Sequence, residues 1–338
     1  MIITTSLMRR WSECPRQAAL KARGLRPAEE YEPGAAMLFG QMLHEDVENF
    51  LLGTGKILMP SSFVQDASFI DNYMRTRTFY FDILKRGILD NDRVEVLAVE
   101  KEFRIPIVSP RPPRHKATQH DYAGKVDALL RIDGQVWIYE LKTRASNTER
   151  DTAEFDQAPQ ATAYAYAFTR LLGEPVAGVI YHIVKRNPPR PPRILKSTGK
   201  VSKDKSQNTT AAMVLSELER LHLDPADYEE FLDHIAHKER ENPFFREYRT
   251  FRTAHDLREF EAELFQVARL MVQAYHAGEP RNRFYCHQCV YNAYCNLGER
   301  ENYVTDEHPY RELAVETLEA ERNLHVAKLS TVLPEWAA

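Results

Sequence analysis

Two runs of alternating, β-rich residues flank the dipeptide Asp133-Gly134, and Asp-Gly between such runs is the strongest short-range signal for a tight antiparallel hairpin. A two-residue loop sets Ile132 opposite Gln135. Counting back along both arms then places Asp127 across from Glu140 and Lys125 across from Lys142. Side chains alternate along a strand, so Asp127, Leu129, Glu140 and Lys142 share one face. Val126, Ala128, Leu130, Trp137, Tyr139 and Leu141 share the other, which reads as the core face. The two acids form a cross-strand pair with Cβ atoms about 5 Å apart, an unfavourable placing of like charges. A divalent cation relieves it, and carboxylate oxygens are what Mg²⁺ and Mn²⁺ accept. Lys142 adds an ammonium on the same face, suited to assist an attacking water or to neutralise charge developing on a phosphate.

Gly124-x-x-Asp127 followed by Glu140-Leu141-Lys142-Thr143 resembles the catalytic core of the PD-(D/E)XK nucleases, in particular their RecB-like branch. The resemblance implies an α/β fold: a restriction-endonuclease-like core with a mixed central sheet, flanking helices and helical insertions. It also implies that Asp127, Glu140 and the Leu141 carbonyl hold Mg²⁺ or Mn²⁺, with Lys142 positioning or activating the water. Residues 34–52 read as a helix whose apolar side is Met37, Leu38, Met42, Leu43, Val47, Phe50 and Leu51. On it, Gly40-x-x-x-His44 resembles the first motif of the same branch, whose His is a metal ligand; His44 is accordingly expected as the third protein ligand. Pro159 opens a further helix running to about Leu172, a favourable place for proline, and Gln160 and Tyr164 share one of its faces. Gln-x-x-x-Tyr so soon after Glu-x-Lys resembles the additional motif of the branch, which implies that this pair supports the active site and the DNA strand.

At 338 residues, 43% hydrophobic and 28% charged, the chain suits one elaborated domain or two small ones. It has no apolar run long enough to span a membrane and no signal-peptide pattern, so a cytoplasmic location is expected. A net charge of −4 gives no global basic field, although residues 111–116 and 185–205 are locally basic. Residues 6–23 read as one helix with Leu7, Trp11, Cys14 and Ala18 along a side. Residues 67–86 read as an aromatic-rich helix walling the site, and 94–107 as a strand. On that strand the pattern does not choose between Glu100 and Glu102 as a further acid near the site. Residues 176–184 complete a strand–helix–strand order.

Periodicity then fails over residues 185–208, which hold two Pro-Pro-Arg sequences and Lys196, Lys200, Lys203 and Lys205. Such a polar segment is expected to become ordered only against something anionic, with phosphate contacts from these lysines. Helices at 210–221 and 225–240, a short strand at 244–250 and an amphipathic helix at 254–276 form an elaboration on the core. The resulting division is a single nuclease domain over 1–300: a helical wall (31–90), the catalytic core (91–185), the basic loop and helical insertion (186–280), and a cysteine segment (281–300) closed by Cys14. Residues 301–338 are a helical tail with Leu313, Leu318, Leu324 and Leu329 at helical spacing.

Cys286-x-x-Cys289 is followed by Cys295, and Cys14 completes the chain's four cysteines. Four thiolates suit Zn²⁺ or a 4Fe–4S cluster. Their split between the two ends of the chain and the five-residue gap favour iron–sulfur. One Cys before the first motif and three after the last resemble the iron–sulfur nucleases of the RecB-like branch, among them AddB-type subunits, the exonuclease V family and the CRISPR-adaptation nuclease. The function implied is metal-dependent hydrolysis of DNA by an exonuclease acting on single-stranded or frayed ends in recombination, repair or phage DNA processing, with a recombination or replication protein as partner. Rival readings are a DNA-binding adaptor subunit that retains the fold, and the CRISPR-adaptation nuclease, a usually shorter family against which the 185–240 insertion counts.

Overall fold

In the computed structural model, which describes residues 2–28, 34–56, 58, 66–110 and 117–305, Asp133 and Gly134 both take positive φ, 50° and 82°. That is the backbone a two-residue type I′ turn needs. Arg93 clamps the Asp133 carboxylate with two hydrogen bonds of 2.6 Å. Residues 111–116 and the tail positions Leu313, Leu318, Leu324 and Leu329 lie outside the described residues.

The elements run β1 (Ile2–Ile3), α1 (Thr5–Glu13), α2 (Pro15–Ala22), β2 (Leu25–Pro27), α3 (Ala35–Leu51), α4 (Ala67–Leu84), β3 (Val94–Val108), β4 (Ala117–Ile132), β5 (Gln135–Arg144) and α5 (Glu149–Thr152). There follow α6 (Pro159–Leu172), β6 (Val176–Lys185), α7 (Ala211–Arg220), α8 (Glu229–Glu241), β7 (Phe245–Phe251), α9 (Ala254–Ala277) and β8 (Tyr303–Thr305). Six strands make a mixed sheet in the order β1-β4-β5-β6-β7, with β3 along the other edge of β4. β5 and β6 are parallel, joined through α6, and β7 extends the sheet antiparallel to β6.

Both faces of the sheet are buried, which corrects the expectation of a single core face. Ala128, Leu130, Tyr139 and Leu141 pack with Phe39, Leu43, Tyr73 and Tyr80 of α3 and α4. Leu129, Val136 and Ile138 pack on the opposite side with residues of α6 and α9. Val126 belongs with Leu129 and not, as alternation demands, with Ala128. The alternation slips at Asp127, next to the point where pairing of β4 with β5 stops at Ala128↔Tyr139.

Three further expectations change. The helix over residues 6–23 is broken at Cys14, which is extended (φ −159°, ψ 111°) because Pro15 disfavours a helical residue before it. The strand β1 was not anticipated, since two residues are too few to show a period. Residues 185–208 do not wait for an anion. Ile194 and Val201 bridge as a small hairpin, and Val201 is buried with Val214, Leu218, Tyr228, Phe231 and Ile235. The Gln207 carboxamide ties the segment to itself, accepting from Arg193 N–H at 2.6 Å and donating to Ser202 O at 2.8 Å. Among the described residues no helix is long and apolar enough to cross a membrane.

Behind β5 the Tyr80 hydroxyl shares hydrogen bonds with the Tyr139 hydroxyl and with His182 Nδ1, the latter at 2.8 Å, and all three groups are buried. Tyr80→Phe strands two buried polar groups at once. It is expected to lower stability by about 1–3 kcal/mol, read from the urea unfolding midpoint at unchanged slope.

Candidate metal and active site

One edge of β4 is shared by two strands. β1 covers Asp121 and Tyr122, β5 covers Ala128 to Ile132, and residues 123–127 have no strand partner on that side among the described residues. Asp127 bridges the gap with its side chain, Oδ2 accepting the Leu141 N–H at 2.7 Å. Within a strand the N–H and C=O of one residue project to the same edge, so the Leu141 carbonyl faces β4 as well.

His44 enters from α3, its Nδ1 3.2 Å from Asp127 Oδ1. One turn earlier, a Cβ on Gly40 would stand 3.1 Å from Thr143 Oγ1, tighter than ordinary packing. The bare backbone there lets α3 lie against the end of β5 and brings His44 within reach of the gap. That contact is the physical content of the Gly-x-x-x-His spacing.

The third member is Glu100. Val99↔Ala128 and Lys101↔Val126 set it opposite Asp127, and its φ of 48° is a left-handed conformation rare for glutamate, costing on the order of 1 kcal/mol or more. His44, Glu100 and Asp127 each offer one ligand atom, all within 4.8 Å of one another. The structure thus brings Glu100 and not Glu102 to His44 and Asp127, a choice that alternation along β3 could not make because residues two apart share a face. Glu100 also pairs with Lys125.

Glu140 stands beside this triad rather than within it. Its side chain is 3% exposed, and Oε2 accepts from Lys142 Nζ at 2.7 Å. Its Oε1 is buried without a partner among the described residues, a costly state for a carboxylate. Burial pushes Glu140 up to about 7 against the pull of the Lys142 ammonium, while the Asp127 charge adds to the rise. Asp127 is itself held below the usual carboxylate range: burial raises it, but the His44 hydrogen bond and charge and the Lys142 charge outweigh this. His44 is shifted up, the Asp127 bond and charge overcoming burial. An imidazole, two carboxylates at ligand spacing and an orphaned carboxylate oxygen beside them fit Mg²⁺ or Mn²⁺. The group opens onto a cleft of about 740 Å³ lined by Gly40, His44, Glu48, Glu100, Asp127 and Thr143, among others.

Gln160 Nε2 donates to the Tyr164 hydroxyl at 2.8 Å. The Tyr164 ring meets Phe103 edge-on at 5.8 Å between centroids. A Cβ on Gly124 would lie 2.7 Å from Phe103 Cζ and 3.3 Å from Tyr164 Cε1, so the first residue of Gly-x-x-Asp is the floor on which this pair rests. Burial, with the Glu140 charge behind it, raises the Tyr164 phenol well above its ordinary value.

Among the expected DNA contacts, Lys196 and Lys200 are exposed. Lys203 donates to Asp227 O and lies 4.8 Å over the Tyr228 ring, while Lys205 pairs with Glu230 at 2.7 Å. None of the four cysteines is in a disulfide. Cys14 is buried and its Sγ accepts the Asn282 N–H at 3.4 Å. Burial raises Cys289, with Cys14 and Cys286 among the groups facing it, and raises Cys295, which faces Cys289 and Cys14. Among the described residues no three sulfurs close to the mutual spacing seen at His44, Glu100 and Asp127.

The family model described as PD-(D/E)XK nuclease superfamily matches residues 3–296. The chain belongs to the PD-(D/E)XK nuclease superfamily. Members of the superfamily are nucleases and use divalent metals such as Mg²⁺ or Mn²⁺, in keeping with the mixed sheet and its helices. No curated protein matches the chain in sequence. Among solved structures it is similar to that of SSO0001, at 12% identity over 87% of this chain and 86% of that one, with a TM-score of 0.33.

In this PD-(D/E)XK chain the raised Glu140 sets a pH dependence. Between about 4.5 and about 7 the unfolded chain releases this proton before the folded one does, so the group withdraws stability as pH rises. The melting temperature of metal-free protein is expected to fall across that window, and Glu140→Gln to reduce the slope. Mn²⁺ is expected to raise the melting temperature more at pH 8 than at pH 5.5, where protons compete for His44 and Glu140. Differential scanning fluorimetry with and without EDTA checks both.

Proposed function

We propose that the protein is a metal-dependent deoxyribonuclease, an exonuclease directed to single-stranded or frayed DNA ends in recombination, repair or phage DNA processing. The observation that carries this reading is the convergence of His44, Glu100 and Asp127 beside the Glu140–Lys142 pair, where β4 and β5 part. His44, Asp127, Glu140 and the Leu141 carbonyl, with Glu100 added by the structure, would hold Mg²⁺ or Mn²⁺. When bound, such an ion stabilises charge on the phosphate and orients the attacking water. Lys142, held by Glu140 at 2.7 Å, would supply an ammonium to the reacting phosphate. There it positions the water through an N–H and offsets the charge that builds on the phosphoryl oxygens. Gln160 fixes the Tyr164 hydroxyl, and the pair orients the strand. Asp127 has two tasks, since one oxygen also binds the Leu141 N–H and so sets the spacing of the strands.

On end-labelled single-stranded DNA with Mn²⁺, Asp127→Ala and Lys142→Ala are each expected to lower kcat about a thousandfold. Glu100→Gln should raise the Mn²⁺ concentration giving half-maximal rate. Linear single strands should be degraded and circular ones spared. A wild-type protein silent on every substrate, or an Asp127→Ala protein as active as wild type, supports the adaptor-subunit reading instead.

A 4Fe–4S cluster on Cys14, Cys286, Cys289 and Cys295 belongs to the same proposal. A single zinc ion, with Zn–S bonds of about 2.3 Å, draws its four sulfurs to roughly 4 Å of one another. In a 4Fe–4S cluster each thiolate binds a different iron, and what supports it here is the placing of Cys14, Cys286 and Cys295 among the groups acting on one another or on Cys289. The cluster would fasten two segments that the protein already joins through Asn282 Nδ2 to Glu13 O at 2.9 Å and Tyr291 hydroxyl to Leu25 O at 2.8 Å. Protein purified without oxygen should be brown and contain about four irons per chain; zinc alone would refute the cluster.

A further inference from the structure

Four cations around the carboxyl ends of β5 and β6 have backbone carbonyls where a carboxylate ordinarily stands. Lys185 Nζ donates to Asn242 O at 3.3 Å and Arg186 to Thr143 O at 3.2 Å. Lys238 of α8 donates to Gln207 O at 2.9 Å, and Arg246 of β7 to Asn147 O at 3.2 Å. Among the described residues none of the four has a carboxylate at ion-pair distance, and the Arg246 Nε has no partner at all. Other cations of the neighbourhood do pair with acids: Arg144 with Glu154, Arg190 with Asp71, Arg193 with Asp204, Lys205 with Glu230. In a chain of 49 acids and 45 bases, these four stand together, each seated on a carbonyl.

They are also physically connected, and connected to the cleft. Asn147 N–H donates to the Asn242 side chain at 2.7 Å, which joins the carbonyl acceptors of Arg246 and Lys185. Lys238 is close enough to depress Lys185, after burial, below the usual lysine value. The Arg186 acceptor, Thr143, lines the cleft that holds His44, Glu100 and Asp127. A cation seated on neutral carbonyls keeps its full charge for an outside anion, and a half-buried one gains most from meeting it.

We propose that Arg186, Lys185, Lys238 and Arg246 form the track along which the phosphate backbone of a single DNA strand leaves the cleft, with Arg186 taking the phosphate nearest the reacting one. The proposal rests on the nuclease reading for the nature of the polyanion. It moves the DNA contacts from Lys203 and Lys205, which the protein itself engages, to Lys185 and Arg186 at the start of the same basic segment, joined by Lys238 of α8 and Arg246 of β7.

The test is fluorescence anisotropy with a 5′-fluorescein oligo-dT of twenty nucleotides and full-length protein in EDTA, which permits binding without cleavage, over a salt series. Arg186→Gln with Lys238→Gln is expected to raise Kd about tenfold at low salt and to flatten log Kd against log salt by about 1.4, the slope for two lost phosphate contacts on a single strand. The charge-conserving pair Arg186→Lys with Lys238→Arg should restore most of the binding, which an effect on folding would not. An unchanged Kd and slope in the glutamine variant would overturn the track, as would a loss confined to Lys203→Gln with Lys205→Gln. Wild-type protein that binds the strand but hydrolyses none with Mn²⁺ leaves the track standing and removes the nuclease reading, so the two fail separately.

Discussion

The hydrogen bond from Leu141 N–H to Asp127 Oδ2 sets the geometry on which the candidate site depends. It stands where a main-chain carbonyl would continue the ladder between β4 and β5, and a side-chain acceptor is longer than the carbonyl it replaces. The strands therefore separate at that residue while remaining tied. The space opened is filled from three directions: by His44 from above the sheet, by Glu100 from the neighbouring strand, and by Glu140 with Lys142 from the strand across. Without the tie the acids would have no fixed spacing. Without the separation they would have no volume in which to hold a cation.

That arrangement keeps several groups in states they would not choose alone. Glu100 sits in a left-handed backbone conformation, and Glu140 is a buried acid with one oxygen unanswered. Such residues persist where the surroundings over-determine them. Here the surroundings are two hydrophobic cores on opposite faces of the sheet, so that the polar cluster occupies a seam between well-packed layers. Gly40 and Gly124 are points of close approach beside the site, and each precedes a site residue by a short, fixed step.

Much of this was legible in the sequence because it is local. The Asp-Gly turn fixes the register of the hairpin from one dipeptide, and α6 begins and ends at Pro159 and Leu172 as the pattern implied. What escaped is what depends on partners distant in sequence. The slip at Asp127 arises because β5 stops pairing there, a fact about two strands that alternation within one does not record. Glu100 was ambiguous with Glu102 because the two share a face of β3 and only the fold brings one of them to His44. The break at Cys14 could have been read from Pro15. The order in residues 185–208 could not, since it comes from Val201 joining a core built by α7 and α8.

The strand pair β2 and β8 joins Leu25–Pro27 to Tyr303–Thr305, and Arg16 N–H reaches Pro280 O at 3.2 Å across a similar span of chain. Contacts of such high sequence separation form late, because the loop-closure entropy must be met before they give anything back. On a ribosome, then, the amino-terminal helices emerge first yet find these partners last. Their docking makes a closing step of assembly, and until it occurs Cys14 has none of the other three thiols beside it.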